Sequence, residues 1–176
     1  MSLSHKLLSE KTGKPFTHCS ICDSDLHGKL HFIEKAYHRN LGDHNHSVIF
    51  EYAICENCKR GMLQQVSAES LARMQAFMLE HQDEIDEMMH TTTDLEYCSF
   101  TGNSLDEMDE YHIVAVVQGD STPMPPMIFG AAIMEVYQNL LSEKTKEFFD
   151  DFYDDFIDIP PELARILDKD FKPVFL

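Results

Sequence analysis

The sequence predicts an α+β protein in which a unit of two cysteine turns, a β-hairpin and a helix is followed by a further helix and a second unit of the same order. Three observations lead to this fold class. Two Cys-x2-Cys pairs flank a segment rich in β-branched and aromatic residues, apolar residues at helical spacing follow, and a similar order recurs in the second half. The 176 residues, 43% of them hydrophobic, suffice to build a core.

The chain is strongly acidic, with 14 Lys and Arg against 31 Asp and Glu and a net charge of -17. Residues 1–90 have few excess acidic groups, whereas residues 91–176 are far more acidic, and we expect these to be two units that meet near residues 91–94. Such a charge repels a phosphate backbone and disfavours nucleic-acid binding. Since neither a membrane-length apolar run nor a signal-peptide pattern occurs, we expect a cytoplasmic protein without membrane contact.

The first candidate site consists of the two cysteine pairs, Cys19 with Cys22 and Cys55 with Cys58. Each short pair can form a tight turn that directs two sulfur atoms to one cation, and two such turns complete a tetrahedral set of four thiolates. Iron binding, redox pairs and disulfides are the alternatives, and a reducing cytosol disfavours disulfides. We therefore expect one structural zinc ion bound by these four residues.

The segment between the pairs predicts a β-hairpin. Residues 29–37 and 47–54 are rich in strand-forming side chains and are separated by the turn-like residues 38–46. Residues 59–66 can then form a helix whose positive end stabilises thiolates.

This order of cysteine turn, hairpin, cysteine turn and helix resembles the treble-clef class of zinc domains over residues 15–66. The resemblance implies a fold and a metal without implying an activity. A zinc ribbon is the near alternative, and it differs mainly in whether a helix follows the second cysteine turn.

Two other resemblances are disfavoured by spacing. Residues 12–16 resemble the linker before a zinc finger with two cysteine and two histidine ligands, but Cys22 and His38 are separated by 15 residues where such fingers have about twelve. The Asp43-His44 dipeptide resembles part of the zinc-stabilised HNH nucleases, but their later catalytic residues are not evident. We expect His38, His44 and His46 to form a solvated turn, with a second, weaker metal site as the alternative.

Helical patterns follow the hairpin. Ser67 is a good N-cap for a helix of about six turns whose apolar stripe continues to Met88, with His81 in a gap of that stripe. In the second half, residues 113–117 predict a buried strand and a helix is expected from Met127 onward.

Ser142 is expected to cap a further helix, on which Phe148, Phe149, Phe152 and Phe156 oppose an aspartate-rich side. A last short helix is expected from Pro160.

The second half resembles a degenerate, metal-free copy of the first. Residues 18–26 align with residues 97–105 at an offset of 79, sharing cysteine, serine and leucine, and the same order of elements follows. In that alignment Thr101 stands opposite Cys22, while Phe129 and Ala132 stand opposite Cys55 and Cys58. Chance similarity of short patterns is the alternative. Cys98 is expected to be a small buried hydrophobic residue.

These features favour a non-enzymatic, zinc-stabilised acidic module that binds a protein partner or itself, through the phenylalanine-rich segment 148–156 and its rim of aspartates. No nucleophile triad, phosphate-binding loop or open zinc site is evident. The alternative is a metal-dependent hydrolase or nuclease that uses His38, His44 and His46. A nucleic-acid-binding domain that uses Lys59 and Arg60 is a third hypothesis, and the acidic composition opposes it.

Overall fold

The structure, a computed structural model, describes residues 3–40, 42, 45–91 and 95–157. The elements are β1 (Leu30–Arg39), β2 (His46–Cys55), α1 (Glu56–Leu63), α2 (Ala68–Glu80), α3 (Gln82–Thr91), β3 (Glu110–Gln118), β4 (Met127–Gly130), α4 (Ala131–Asn139) and α5 (Glu143–Phe156). The predicted mixed α+β class is confirmed. The helix predicted from Pro160 and most of the predicted boundary at 91–94 lie outside the described residues.

The strands form one antiparallel sheet in the order β2-β1-β3-β4. β1 and β2 form the predicted hairpin, in which Phe32 lies opposite Ile54. β1 also pairs with β3, from Leu30 opposite Gln118 to His38 opposite Glu110. The central ladder therefore joins the first half of the chain to the second.

The N-terminal segment covers one face of this sheet. Lys35 is fully buried there, and its ammonium donates to the carbonyl of Leu8 at 2.6 Å and to Glu10 at 2.7 Å. Ser9 donates to Glu51, the residue opposite Lys35 on β2, at 2.7 Å. Because a buried ammonium is costly unless it is paired, these bonds hold the segment in a defined position on the sheet.

Helices cover the other face, and the second helix of each half packs on the opposite half. Phe77 of α2 contacts the rings of Phe100 and Tyr137, with centroid distances of 5.7 and 6.1 Å. In turn, Phe152 of α5 meets the ring of Tyr52 edge-on at 5.7 Å. This exchange of helices ties the two halves together by aromatic burial.

A cluster of four hydroxyl groups joins the starts of α2 and α5. The N–H of Ser67 donates to Thr145 Oγ1 at 3.0 Å, and the N–H of Ser142 donates to Ser70 Oγ at 2.8 Å. The hydroxyls of Ser67 and Ser142 lie 2.9 Å apart. Both serines cap their own helices, as the sequence predicted, and each helix start is also capped from the other half.

Two predicted elements differ from the structure. The helix of about six turns is divided at His81, whose φ of -101° and ψ of 11° end α2, and the imidazole packs on Phe77 at 4.3 Å. The helix expected from Met127 begins only at Ala131, because Met127 to Gly130 pair with β3 as β4. Within the described parts of the chain, no helix combines the length and apolar character that crossing a membrane requires.

We expect Thr145→Val to lower the free energy of unfolding by about 1–3 kcal/mol, because the half-buried N–H of Ser67 would lose the acceptor that the buried Thr145 hydroxyl provides. The substitution keeps the shape of the side chain. Chemical denaturation measures the change, and the exposed Thr12→Val should shift stability by less than about 0.5 kcal/mol. Equal effects of the two substitutions would contradict a stabilising role for the hydroxyl cluster.

Candidate metal centre

The backbone around each cysteine pair fixes the direction of its sulfur atoms. In the first turn the N–H of Cys19 donates to the carbonyl of Ser24, and the N–H of Asp23 donates to the carbonyl of Cys19, both at 2.9 Å. Asp23 has a φ of 56°, in the left-handed region that aspartate tolerates. Cys55 ends β2 and caps α1, where its sulfur accepts the N–H of Cys58 at 3.5 Å.

The four sulfur atoms of Cys19, Cys22, Cys55 and Cys58 lie within 4.8 Å of one another. Cys22 Sγ and Cys55 Sγ are 3.8 Å apart, and all four cysteines are free thiols. Sulfur atoms about 2.3 Å from a tetrahedrally bound ion are spaced about 3.8 Å apart, whereas a disulfide needs about 2.05 Å. The group is compatible with a zinc site, and it could bind a metal ion.

Hydrogen bonds and burial act differently on the thiols of Cys22, Cys55 and Cys58. The Ser24 hydroxyl, 3.1 Å from Cys22 Sγ, and the Ser24 backbone N–H lower the pKa of the exposed Cys22 to about 6. Burial opposes ionisation of Cys55, but the hydrogen bonds from the N–H of Cys58, the Ser24 hydroxyl and the Cys58 side chain together outweigh it and lower the pKa. Burial and the neighbouring thiols raise the pKa of Cys58. A cysteine binds a metal as a thiolate, and the protein alone disfavours the thiolate of Cys58. The positive charge of a bound cation would have to offset this effect.

The histidines named in the alternative site do not form a second metal group among the described residues. His46 Nε2 lies 3.1 Å from the carbonyl of Met108, and its ring packs edge-on against Tyr111 at 5.0 Å. His38 is half-buried on β1, and His44 lies outside the described residues. Within those residues, the four cysteines are the only group of three or more that could hold a metal ion. The hydrolase hypothesis therefore stays a prediction.

A second turn with the same hydrogen bonds occurs at Cys98. The N–H of Cys98 donates to the carbonyl of Asn103 at 2.8 Å, and the N–H of Gly102 donates to the carbonyl of Cys98 at 3.0 Å. Gly102 has a φ of 69°, matching the left-handed backbone of Asp23 in the first turn. The N–H of Ser99 in this turn donates to the carbonyl of Ile128 in β4. The two turns thus share their backbone geometry although only the first holds a cysteine pair.

Apolar atoms fill the centre of the second turn. Gly130 caps α4 as Cys55 caps α1, so an alignment of these two helix starts sets Gly130 and Ile133, rather than the expected Phe129 and Ala132, opposite Cys55 and Cys58. A Cβ on Gly130 would lie 2.6 Å from Met108 Sδ and 3.8 Å from Cys98 Sγ. The thioether of Met108 therefore occupies the space into which a cysteine here would project.

The structure also contains a buried group that the sequence did not predict, formed by Glu34, Tyr52, Lys59 and His112 and here called the Glu34 cluster. The hydroxyl of Tyr52 donates to Glu34 Oε2, and His112 Nδ1 donates to Glu34 Oε1 at 2.6 Å. Lys59 lies over the ring of Phe32, with Nζ 5.3 Å from the centroid. Burial lowers the pKa of Lys59 to about 8, although the charge of Glu34 opposes this shift.

The burial of Lys59 also bears on the nucleic-acid hypothesis. Its ammonium is directed into the protein, and its neighbour Arg60 is bound to Glu56 at 2.9 Å. These two side chains therefore do not form a free basic surface. The only sequence signal for the Glu34 cluster was the charged pair Glu34-Lys35 within a strand pattern.

Comparisons with protein-family models, curated proteins and solved structures found no match to this chain. The function must therefore be inferred from the chemistry of the site itself.

We expect one metal ion per chain, and Cys22→Ala should abolish its retention and unfold at least the first half, because ligand binding and folding are coupled in such sites. Elemental analysis and circular dichroism of purified protein measure both effects. The matched control is Cys98→Ala, which removes a cysteine outside the group and should keep the metal. Full metal retention in Cys22→Ala would refute the assignment.

Proposed function

We propose that this chain is a structural-zinc-stabilised, acidic protein-interaction module. The donor set supports zinc, because four thiolates with a tetrahedral spacing suit this ion and leave no open position for substrate. The order of cysteine turn, β1, β2, cysteine turn and α1 supports the treble-clef resemblance, since a helix directly follows the second pair. Zinc would join the N-terminal turn to the start of α1.

We also infer that residues 97–156 are a metal-free copy of residues 18–77. The matching hydrogen bonds at Cys19 and Cys98 support this inference. So does the central ladder: Glu34 lies opposite Val114, and a two-fold axis through this pair would exchange β1 with β3. The reciprocal capping by Ser67 and Ser142 follows the same symmetry.

Restoring the lost ligands tests the copy directly. A variant with Thr101→Cys, Gly130→Cys, Ile133→Cys and Met108→Ala should bind two metal ions per chain, because Cys98 already occupies the fourth place. The control variant keeps the other three substitutions but has Gly130→Ser in place of Gly130→Cys. It has only three thiols in the second site and should bind the second ion at least about tenfold more weakly. A folded four-cysteine variant that still binds one ion would contradict the inference.

One apolar groove next to the metal centre carries the interaction proposal. It encloses about 450 Å³ between α1, α5 and the first cysteine turn. Its lining residues are Ile21, Cys58, Gly61, Met62, Gln65, Phe148, Asp151, Phe152, Asp155 and Phe156. Of the four phenylalanines predicted to bind, Phe149 and Phe152 are buried in the core, Phe148 is half-buried and Phe156 is exposed.

The same place in the second half is filled. There the rings of Phe77, His81, Phe100 and Tyr137 contact one another across the cleft between α2 and α4. In the first half Ile21 and Met62 take the places of Phe100 and Tyr137, so less side-chain volume fills the cleft. The groove is thus open although the corresponding cleft of the second half is filled by side chains, which supports a binding role over incomplete packing.

The charge of the rim selects the partner. Asp151 and Asp155 are exposed beside the apolar floor, and the whole chain carries -17. A second copy would bring the same acidic rim to the contact, and like charges oppose that pairing. The groove therefore suits the apolar side of a basic, amphipathic helix from another protein.

A synthetic helix of leucine and lysine tests this proposal by fluorescence anisotropy with the metal-loaded chain. Phe156→Ser combined with Asp155→Lys should weaken binding at least about tenfold, because the variant loses both an apolar contact and rim charge. The matched control is Leu79→Ser combined with Asp120→Lys, which changes an exposed leucine and an aspartate elsewhere and should leave binding unchanged.

Two results would contradict the basic-helix proposal. One is equal binding of a leucine and glutamate helix of the same length. The other is a dimer in sedimentation experiments that Phe156→Ser dissociates, since this would assign the groove to a second copy.

A further inference from the structure

A second cavity lies away from the groove, on the helix-facing side of the sheet. It has a volume of about 120 Å³ where β1, β2 and β3 meet Lys59 of α1 and the loop before β4. Phe32, Ile54 and Val116 form apolar parts of its wall, and the exposed Met124 stands at its edge. An apolar cavity of roughly 150 Å³ holds benzene, and this space is somewhat smaller, so it suits at most a small ring or branched chain.

Three members of the Glu34 cluster converge on this apolar space. Glu34, Tyr52 and Lys59 all line it, and each is more than nine-tenths buried. Both carboxylate oxygens of Glu34 accept hydrogen bonds from its neighbours on the sheet, Tyr52 and His112. These bonds hold the carboxylate on the sheet, whereas the ammonium of Lys59 enters from the helix side over the ring of Phe32.

The fold does not need these polar groups for packing. With the two halves aligned as inferred above, Val114, Met127 and Met134 stand at the positions of Glu34, Tyr52 and Lys59. Burying charged groups costs free energy that apolar residues of similar size do not cost. A polar set at positions where apolar residues also fit points to recognition of a ligand.

We propose that this cavity binds a small apolar carboxylic acid. The ligand carboxylate pairs with Lys59 Nζ, and its apolar body contacts Phe32, Ile54 and Met124. A charge-assisted hydrogen bond in a buried site is among the stronger polar contacts in proteins, and the walls supply the apolar burial. The site is separate from the interaction groove, so it adds a small-molecule ligand to a module that binds proteins.

Benzoate is the probe, titrated into the metal-loaded full chain and followed by calorimetry and by amide chemical shifts. We expect binding whose shifts centre on Phe32, Ile54 and Val116. Lys59→Met should weaken it at least about tenfold, because the charge partner is lost while methionine keeps the volume. Lys14→Met removes an exposed lysine and should leave the affinity unchanged.

Metal content and thermal unfolding show that the Lys59→Met chain is folded. Methionine stands at the related position 134, so the variant should keep its metal and should melt at or above the wild-type temperature. Benzylamine, which reverses the charge of the probe, should not bind. Three outcomes would overturn the proposal. The first is that the wild type does not bind benzoate at about 20 mM, because a dissociation constant above this value is weaker than the proposed contacts require. The second is equal affinity in the folded Lys59→Met chain, and the third is preferred binding of benzylamine.

Discussion

The antiparallel pairing of β1 with β3 is the contact on which the rest of the architecture depends. This ladder merges two hairpin-like units into one sheet, and the Glu34–Val114 pair lies at its centre. The strands run in opposite directions, so the turn at Cys19 and the turn at Cys98 lie at opposite ends of the sheet. α2 and α5 then reach across to the other unit, and their starts meet in the hydroxyl cluster. Each unit's apolar core is therefore completed by a helix of the other unit.

Local signals predicted the elements that are locally determined. The two cysteine spacings indicated a candidate metal centre, and Ser67 and Ser142 were recognised as caps because capping needs only neighbouring N–H groups. β4 was missed because its short run of apolar residues continues into α4 with helical spacing, and only its pairing with β3 makes it a strand. α2 ends at His81, whose ring contacts Phe77 within the helix and also Phe100, which is distant in sequence. The local sequence does not contain the contact with Phe100.

The Glu34 cluster escaped prediction for the same reason. Tyr52 and His112 reach Glu34 from the strands on either side of β1, so their hydrogen bonds exist only once the sheet has formed. In sequence each residue is one polar position within a strand pattern. The turn at Cys98 shows the opposite case. Its sequence suggested a lost site, but only the structure identifies Met108 as the side chain that fills the space.

Helix α1 connects the features that distinguish the first unit from the second. Cys58 belongs to the cysteine group, Lys59 lines the cavity, and Gly61 and Met62 line the groove, all within Glu56–Leu63. A helix of this length is marginal by itself, so its position depends on contacts at its start and along its apolar side. A metal ion held by Cys55 and Cys58 would fix that start. Loss of the metal would then release the groove and the cavity together, while α4, whose start is packed against Met108, would keep its position.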